Sequence, residues 1–384
     1  MKFAARMSHL GTETAFEVLA RAKALEAKGQ EIIHLEIGEP DFDTPQNIKD
    51  KAVEALRGGY THYGPSAGMP PVREAFAQYI SRDRGVEVSP DQIVVTPGAK
   101  PIIFFTALAL VDPGDEVIYP NPGFPIYESM VDYIGAKRVP VRLREERGFS
   151  FDPDDFASLV TSKTKLVIIN SPHNPTGGVL SRDVLARIAE LANKHDFYVL
   201  ADEIYSKIIY EGAHESIYTF DGMPERTIIV DGHSKTYAMT GWRLGFGVMP
   251  PALATKVAKL MTNSASCTCS FTQIAGVEAL QGPQESVRAM VAEFKARRDL
   301  IVDGLNGLPG FRCHKPAGAF YVFPNTEGTG IKSKQLEERL MNEAGVAVLS
   351  GTSFGEYGEG FIRLSYANSQ ENIRRALEKM ARVL

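Results

Sequence analysis

Short apolar runs alternate with helix-like segments through the middle of the chain, and this alternation restricts the folds available to it. Seven runs have the character of buried strands: QIVVT, DEVIYP, KRVPVRL, KLVIIN, YVLAD, RTIIVDG and RLGFGVM. Segments with helical spacing of apolar residues, such as DVLARIAELANKH, lie between several of them. Strands that alternate with helices are typical of βαβ units, whose parallel sheet is buried on both faces. We therefore predict an α/β protein with a mostly parallel seven-stranded sheet flanked by helices.

A long charged helix near 284–304 interrupts this alternation. The strands AFYVFP, VAVLS and FIRLSYA and the helices that follow it predict a smaller α+β domain. The first helix, near 14–29, and the strand in EIIHLEIGEPDF that ends in a Gly-Pro loop would join this domain. A length of 384 residues also favours two domains. We expect an N-terminal arm at 1–12, a small domain formed by 13–40 and 285–384, and a large cofactor-binding domain at 41–284.

Composition excludes several classes of partner. The net charge is −5 and no dense basic run is present, so we expect no nucleic-acid partner. No apolar stretch approaches ~20 residues, so we expect no membrane span, and the N-terminus lacks the apolar core of a signal peptide. Cys267, Cys269 and Cys313 cannot all pair, and the first two lack zinc-site spacing. We therefore expect reduced thiols, a cytoplasmic protein and no metal site.

Polar or glycine-rich segments follow four of the predicted strands. Ligands of open α/β sheets bind beyond the carboxyl ends of the strands, so these segments are candidate sites. They are Pro97-Gly98-Ala99-Lys100, SPHNPTGG with Asn174, Asp202-Glu203-Ile204-Tyr205, and DGHSK with Lys235. A turn such as TPGAK that opens a helix presents free N–H groups to an anion, although a purely structural turn has the same pattern.

Lys235 stands in an apolar, glycine-rich loop, where lysine is rare unless it is paired or reactive. A desolvated lysine near another cation loses its proton more readily. Arg243, eight positions later, could be that cation, or it could bind a phosphate through two parallel hydrogen bonds. Asp202 needs a donor or a cation, which a structural arginine or a ligand could supply. An amine, a carboxylate and phosphate donors together meet the needs of pyridoxal phosphate.

Six segments together resemble the class I and II aminotransferases, which are pyridoxal-phosphate enzymes of the aspartate aminotransferase fold. The segments are SKTYAMTGWRLG, SPHNPTGG, ADEIY, LEIGEPDFDTP, THYGPSAG and FIRLSYA. The resemblance implies pyridoxal 5′-phosphate as the cofactor and a homodimer as the assembly. It also implies a ping-pong reaction, in which an L-amino acid gives its amino group to a 2-oxo acid, most often 2-oxoglutarate.

The resemblance also implies roles for residues around the cofactor ring. Lys235 would hold the cofactor as a Schiff base and later carry a proton. Asp202 would keep the ring nitrogen protonated, and Asn174 and Tyr205 would donate hydrogen bonds to the ring oxygen. Phe124 would stack on the ring.

The phosphate and the substrate carboxylate have their own implied partners. The phosphate would be bound by Arg243, the turn Gly98-Ala99-Lys100 and, from the partner subunit, Tyr63. The carboxylate would be bound by Arg363 with help from the N–H of Gly38. Ser234 directly precedes Lys235 and is a further phosphate candidate. Relatives often carry the phosphate serine three positions before the lysine, where this chain has Gly232.

The substrate is less constrained than the reaction. The helix that begins at Lys100 is apolar beyond that residue, whereas some relatives that act on aspartate carry a basic residue there. Aspartate-type, aromatic and broad specificity therefore all stay open.

Four other classes of protein are alternatives to an aminotransferase. A lyase or decarboxylase of the same fold would share the lysine and the phosphate site. Gly351-Thr-Ser353-Phe-Gly355 fits the G-x-S-x-G pattern of serine hydrolases, but a glycine-rich segment follows where a helix is required. A dinucleotide-binding dehydrogenase would need G-x-G-x-x-G after a strand, and no turn has that spacing. A DNA-binding regulator would need a further domain.

Overall fold

The computed structural model describes residues 1–384. Its α-helices are α1 Thr14–Glu26, α2 Gln46–Arg57, α3 Pro70–Arg84, α4 Lys100–Leu110, α5 Ile126–Tyr133, α6 Pro153–Leu159, α7 Arg182–His195, α8 Pro251–Ser264, α9 Ser270–Gln281, α10 Glu285–Asn306, α11 Ser333–Arg339 and α12 Gln370–Ala381. Its strands are β1 Ile33–His34, β2 Ile93–Thr96, β3 Glu116–Asn121, β4 Lys137–Arg142, β5 Thr164–Asn170, β6 Tyr198–Asp202, β7 Thr227–Gly232, β8 Gly245–Val248, β9 Tyr321–Val322, β10 Val346–Ala347, β11 Leu349–Ser350 and β12 Ile362–Ser365.

A seven-stranded sheet of order β2-β8-β7-β6-β5-β3-β4 forms the centre of the molecule. Strands β3 to β7 pair in parallel, and β8 alone runs antiparallel to both of its neighbours. The seven apolar runs of the sequence supply these strands. The predicted α/β class and the mostly parallel seven-stranded sheet are confirmed.

The central strands are apolar throughout because both faces of the sheet are covered. On β5, Val167 packs into a cluster that contains Ile188 of α7. Its neighbours Leu166 and Ile168 point to the opposite face and pack into a cluster that contains Ile102 of α4. Successive side chains of a strand alternate between faces, so two helical layers require continuous apolar sequence.

Two smaller sheets lie outside the central one. One has the order β11-β12-β9 and is antiparallel, and the other is the parallel pair β1-β10. A separate apolar cluster unites β1, β9, β10 and β12 with α10 and α12, whereas Leu349 of β11 packs into the cluster of β5 and α7. The division into an arm and two domains with the boundaries given above stays a prediction. No helix combines the length and apolar character needed to cross a membrane.

The sequence overestimates one strand. The segment EIIHLEIGEPDF contributes only the two residues of β1. The backbone beyond it leaves the sheet, and the carbonyl of Gly38 accepts a hydrogen bond from Lys235. The helices α5, α6 and α9 were not identified from the sequence.

Candidate active site

A cavity of about 540 Å³ opens where β5, β6 and β7 end. Parallel register places the last residue of β5, Asn170, beside Asp202 of β6, and Asp202 beside Val230 of β7. The chain continues from β7 and places Lys235 at the same edge of the sheet. All predicted site residues except Gly98 and Tyr63 line this cavity.

Lys235 is partly buried, and its Nζ donates a hydrogen bond of 2.6 Å to the carbonyl oxygen of Gly38. Burial lowers the pKa of Lys235 to about 8, with smaller contributions from the positive charges of Arg363 and Lys100. These two cations, rather than Arg243, assist the loss of the lysine proton. The neutral amine, which is the nucleophilic form, is thereby accessible near neutral pH.

Asp202 is buried at the end of β6, and its Oδ2 accepts a hydrogen bond of 2.7 Å from the hydroxyl of Tyr127. Burial raises the pKa of Asp202 to about 6, and the bond from Tyr127 opposes this rise. No arginine pairs with Asp202. The buried Arg84 instead contacts Glu203 at 2.8 Å and Asp231 at 3.7 Å. The carboxylate that faces the cavity therefore forms no ion pair within the protein, although the charge of Lys235 acts on it from a distance.

Tyr127 is a site residue that the sequence did not reveal. It lies three positions after Phe124, at the start of α5, and both residues line the cavity. Phe124 precedes the helix, which begins at Ile126, so helical spacing from Phe124 does not identify Tyr127 as a site residue.

Asn170 joins two of the predicted residues and was also missed. Its Nδ2 donates to the carbonyl oxygens of Asp202 at 2.9 Å and Pro172 at 3.1 Å. Its Oδ1 accepts from the backbone N–H of Asn174 at 2.9 Å. Asn170 thus fixes the ends of β5 and β6 relative to the loop that carries Asn174.

Arg363 lies buried at the floor of the cavity. Its Nη1 donates to Oδ1 of Asn174 at 3.1 Å, and its Nη2 donates to the carbonyl of Glu36. The guanidinium carbon lies 4.6 Å from the ring centroid of Tyr321 and 4.9 Å from that of Phe354. The buried Nε has no hydrogen-bond partner within the protein. A fixed guanidinium with unused donor capacity is suited to a carboxylate.

Tyr205 and Tyr321 form a pair above this arginine, with 2.7 Å between their hydroxyl oxygens. Gly38 approaches the same pair so closely that an added Cβ would lie 2.1 Å from the Tyr321 hydroxyl oxygen. Tyr321 was missed, although it lies within the predicted strand AFYVFP. Because Gly38 has no side chain, the Tyr321 hydroxyl can occupy its position in the cavity beside Tyr205.

The turn before α4 and Arg243 form a cradle of hydrogen-bond donors. Gly98 has φ +85°, and an added Cβ would lie 2.2 Å from Nη2 of Arg243. An added Cβ at Gly245 would lie 2.5 Å from the backbone nitrogen of Ala99. The N-terminus of α4 thus faces the arginine across a space that only glycines leave open, with Ser234 on the same cavity wall. N–H groups and a guanidinium together suit a phosphate.

The side chain of Lys100 points away from this cradle. Its Nζ pairs with Glu13 and lies 5.4 Å from the ring centroid of Phe124. The backbone of Lys100 opens α4 as predicted, while its ammonium group contributes a cation to the cavity wall. Glu13 was not identified from the sequence.

Tyr63 lies outside the cavity, with 90% of its surface exposed. Its role across a subunit interface stays a prediction.

The G-x-S-x-G segment does not form a nucleophile elbow. The strand β11 precedes it, but Gly351–Phe354 and Glu356–Gly358 are short 3-10 turns, where an elbow requires a helix.

Comparison with known proteins places the chain among its relatives. The sequence model of the family "Aminotransferase class I and II" matches residues 30–380. The chain belongs to this family. Over 361 residues it is 41% identical to an aspartate aminotransferase of Pyrococcus horikoshii, a match that covers 93% of this chain and 92% of the relative. The family match and this relative identify the protein as an aminotransferase, as the sequence motifs predicted.

Other relatives differ in the specificity that their names record. An aromatic-amino-acid aminotransferase of Thermococcus litoralis is 42% identical, over 92% of each chain. The solved structure of a Thermus thermophilus aspartate aminotransferase with maleate has a TM-score of 0.95 and 40% identity, over 100% of each chain. The aspartate aminotransferase fold of this transaminase is confirmed.

Proposed function

We propose that the protein uses pyridoxal 5′-phosphate to move an amino group from an L-amino acid to a 2-oxo acid. One observation carries the proposal. The amine of Lys235, the carboxylate of Asp202, the guanidinium of Arg363 and the donor cradle at Arg243 all face one cavity of about 540 Å³. Each group is of the type that a different part of the cofactor or substrate requires.

The residues present fit the cofactor. The N-terminus of α4, Arg243 and Ser234 would hold the phosphate, Phe124 would cover the ring, and Asn174 and Tyr205 would contact the ring oxygen. When bound, pyridoxal phosphate supplies an aldehyde that bonds to amines and a ring that accepts electrons from the substrate carbon. Asp202 has no cation of its own, so it can hold a proton on the ring nitrogen through its anionic Oδ atoms.

The chain's own groups then orient the substrate and move a proton. Arg363 would bind the α-carboxylate, since its Nε is unused and Asn174 and the Glu36 carbonyl hold its other end. Lys235 would take the proton of the substrate Cα with its free amine. Its lowered pKa makes the neutral amine available for that step. The same groups would serve both halves of a ping-pong cycle.

For the substrate we propose aspartate-type or aromatic specificity with 2-oxoglutarate as the amino acceptor. The names of relatives in both groups support this range. The cavity wall supports it as well, because the apolar Phe16, Ile37 and Ile103 line it beside the cation of Lys100.

We also propose a cytoplasmic homodimer in which Tyr63 reaches the phosphate of the partner subunit's site. Val53, Leu56 and Tyr60, which precede Tyr63 in the chain, are exposed as well, and such a group of exposed apolar residues supports an interface role.

An assay of several amino donors against several 2-oxo acids tests the reaction. We expect 2-oxoglutarate to be converted to glutamate with aspartate or an aromatic amino acid as donor. Release of carbon dioxide, ammonia or a thiol without amino transfer would instead assign a lyase or decarboxylase reaction.

A further inference from the structure

A second cavity, of about 590 Å³, lies between α3, the first half of α10 and the segment that follows β6. It shares no lining residue with the active-site cavity. None of the roles assigned above uses it. Its volume lies within the range of small-molecule sites.

The charge of this cavity is opposite to that of the whole protein. Four cations line it, Arg82, Lys207, Arg288 and Lys295, with one acid, Asp83. Four positive charges and one negative charge give +3, on a chain of net charge −5. A concave surface lined by one sign of charge concentrates the field and attracts the opposite ion.

The cations at the rim are available to a ligand. Arg82 makes no ion pair, since the neighbouring acid Asp83 pairs with Arg84 and Lys207. Arg288 pairs with Glu285 at 2.5 Å and Lys295 with Asp299 at 3.2 Å, on their own helix. Exposed pairs of this kind hold their partners weakly, so both cations can turn to an anion without a large loss.

The floor of the cavity is apolar. Ile209, Val287 and Val291 line it, and the rings of the buried Tyr79 and Tyr237 complete it. A simple inorganic anion would leave this surface in contact with water. A ligand with an apolar body would cover the floor and place its anionic group among the rim cations.

We propose that this cavity, the cationic cavity, binds a small amphipathic organic anion with a ring-sized apolar body and a carboxylate or phosphate head. The proposal goes beyond aminotransferase function, because the cavity is separate from the residues that would hold the cofactor and the substrate.

Two short segments connect the cationic cavity to the active site. Tyr205 lines the active-site cavity, and Lys207, two residues later, lines the cationic one. Lys235 also lines the active-site cavity, and Tyr237, two residues later, lines the cationic one. A ligand that moves Lys207 and Tyr237 would therefore act through these segments on Tyr205 and Lys235. We expect it to change turnover without competing with either substrate.

Calorimetric titration of the cofactor-loaded protein tests the binding directly. One arm uses 3-phenylpropionate and the other phenyl phosphate, which separates a carboxylate from a phosphate head.

Two variants change the cavity: Arg82→Glu reverses a rim charge, and Val291→Trp fills the apolar floor. Arg374→Glu is the matched control, since Arg374 is exposed, makes no ion pair and lies on α12, outside the lining of the cavity. Arg363→Lys weakens anion binding in the active-site cavity, so loss of probe binding in this variant alone would show that the probe binds there.

We expect saturable binding of at least one probe, weakened about tenfold or more by Arg82→Glu and by Val291→Trp. Arg374→Glu and Arg363→Lys should leave that binding unchanged. The proposal is overturned if neither probe binds, if both cavity variants bind as the wild type does, or if binding is lost only with Arg363→Lys. Equal weakening by Arg374→Glu would also overturn it, since that result reports overall charge. None of these outcomes depends on which reaction the active site performs.

Discussion

The hydroxyl of Tyr127 lies 2.7 Å from Oδ2 of Asp202 and is the only side-chain donor to that buried carboxylate. Burial raises the pKa of Asp202 to about 6, and this hydrogen bond limits the rise. The tyrosine thus keeps Asp202 anionic at neutral pH, which is the state needed to hold a proton on the cofactor ring.

Tyr127→Phe should reduce kcat/KM by about tenfold or more, since a hydrogen bond to a charged group contributes about 1.5–3 kcal/mol. The pKa of Asp202 should rise further without the phenol. The loss should therefore be greater at pH 6 than at pH 8, which a pH–rate profile measures. Tyr133→Phe, on the same helix, is the control because the Tyr133 hydroxyl makes no hydrogen bond. Equal losses in both variants would contradict the role of Tyr127.

Gly38→Ala should strongly impair catalysis because of one steric contact. The added Cβ would lie 2.1 Å from the Tyr321 hydroxyl oxygen and force that ring away from Tyr205. Gly241→Ala is the matched control, since Gly241 also lines the cavity but an added Cβ there meets nothing within 4 Å. Steady-state kinetics measure the activity of both variants, and similar kcat/KM values for Gly38→Ala and Gly241→Ala would refute the steric account.

His34 should make stability depend on pH. Its hydrogen bond to Glu36, at 2.8 Å, raises the pKa of His34 to about 9 despite burial, with further help from Glu26. Because the folded pKa lies above the unfolded value of about 6.5, the stabilisation is complete below pH 6.5 and is lost as pH rises through 9.

The variant His34→Gln should therefore lower the free energy of unfolding at pH 6 and leave it close to that of the wild type at pH 10. Urea denaturation at several pH values measures this difference. The exposed His62 provides the control substitution His62→Gln. A deficit of His34→Gln that does not vary with pH would argue against the Glu36 interaction.

Asn170→Asp should destabilise the fold and the site together. The substitution replaces the amide donor with an oxygen that faces the carbonyls of Pro172 and Asp202. Leaving such buried groups unsatisfied costs about 1–3 kcal/mol each. Asn263→Asp, at an exposed position of α8, is the control. If the urea midpoints of the two variants match, Asn170 does not anchor the strand ends.

The sequence predicted the sheet and most of the site for a physical reason. Strands buried on both faces must be apolar throughout, and the residues that follow them must meet at one edge of the sheet. Lys235, Asp202 and Asn174 were accessible to that reasoning. The resemblance to aminotransferases supplied Arg363, which sits on a short strand outside the central sheet.

Residues that act through tertiary contact could not be found in this way. Tyr127, Asn170 and Tyr321 are separated from their partners by 75, 32 and 116 positions. Nothing in their local sequence distinguishes a tyrosine that contacts Asp202 from one that packs in the core. Strand β1 is short because of a tertiary contact as well: the backbone beyond it leaves the sheet, and the Gly38 carbonyl faces Lys235.

The central claim is that Lys235 carries pyridoxal phosphate at the edge of the sheet, and borohydride reduction followed by peptide mass spectrometry tests it most directly. The account predicts that reduction fixes the cofactor to the peptide that contains Lys235. It also predicts that a Lys235→Ala protein takes up no covalent label and loses amino transfer. Label on Lys100 or another lysine, or a Lys235→Ala protein that still fixes the cofactor and turns over, would contradict it.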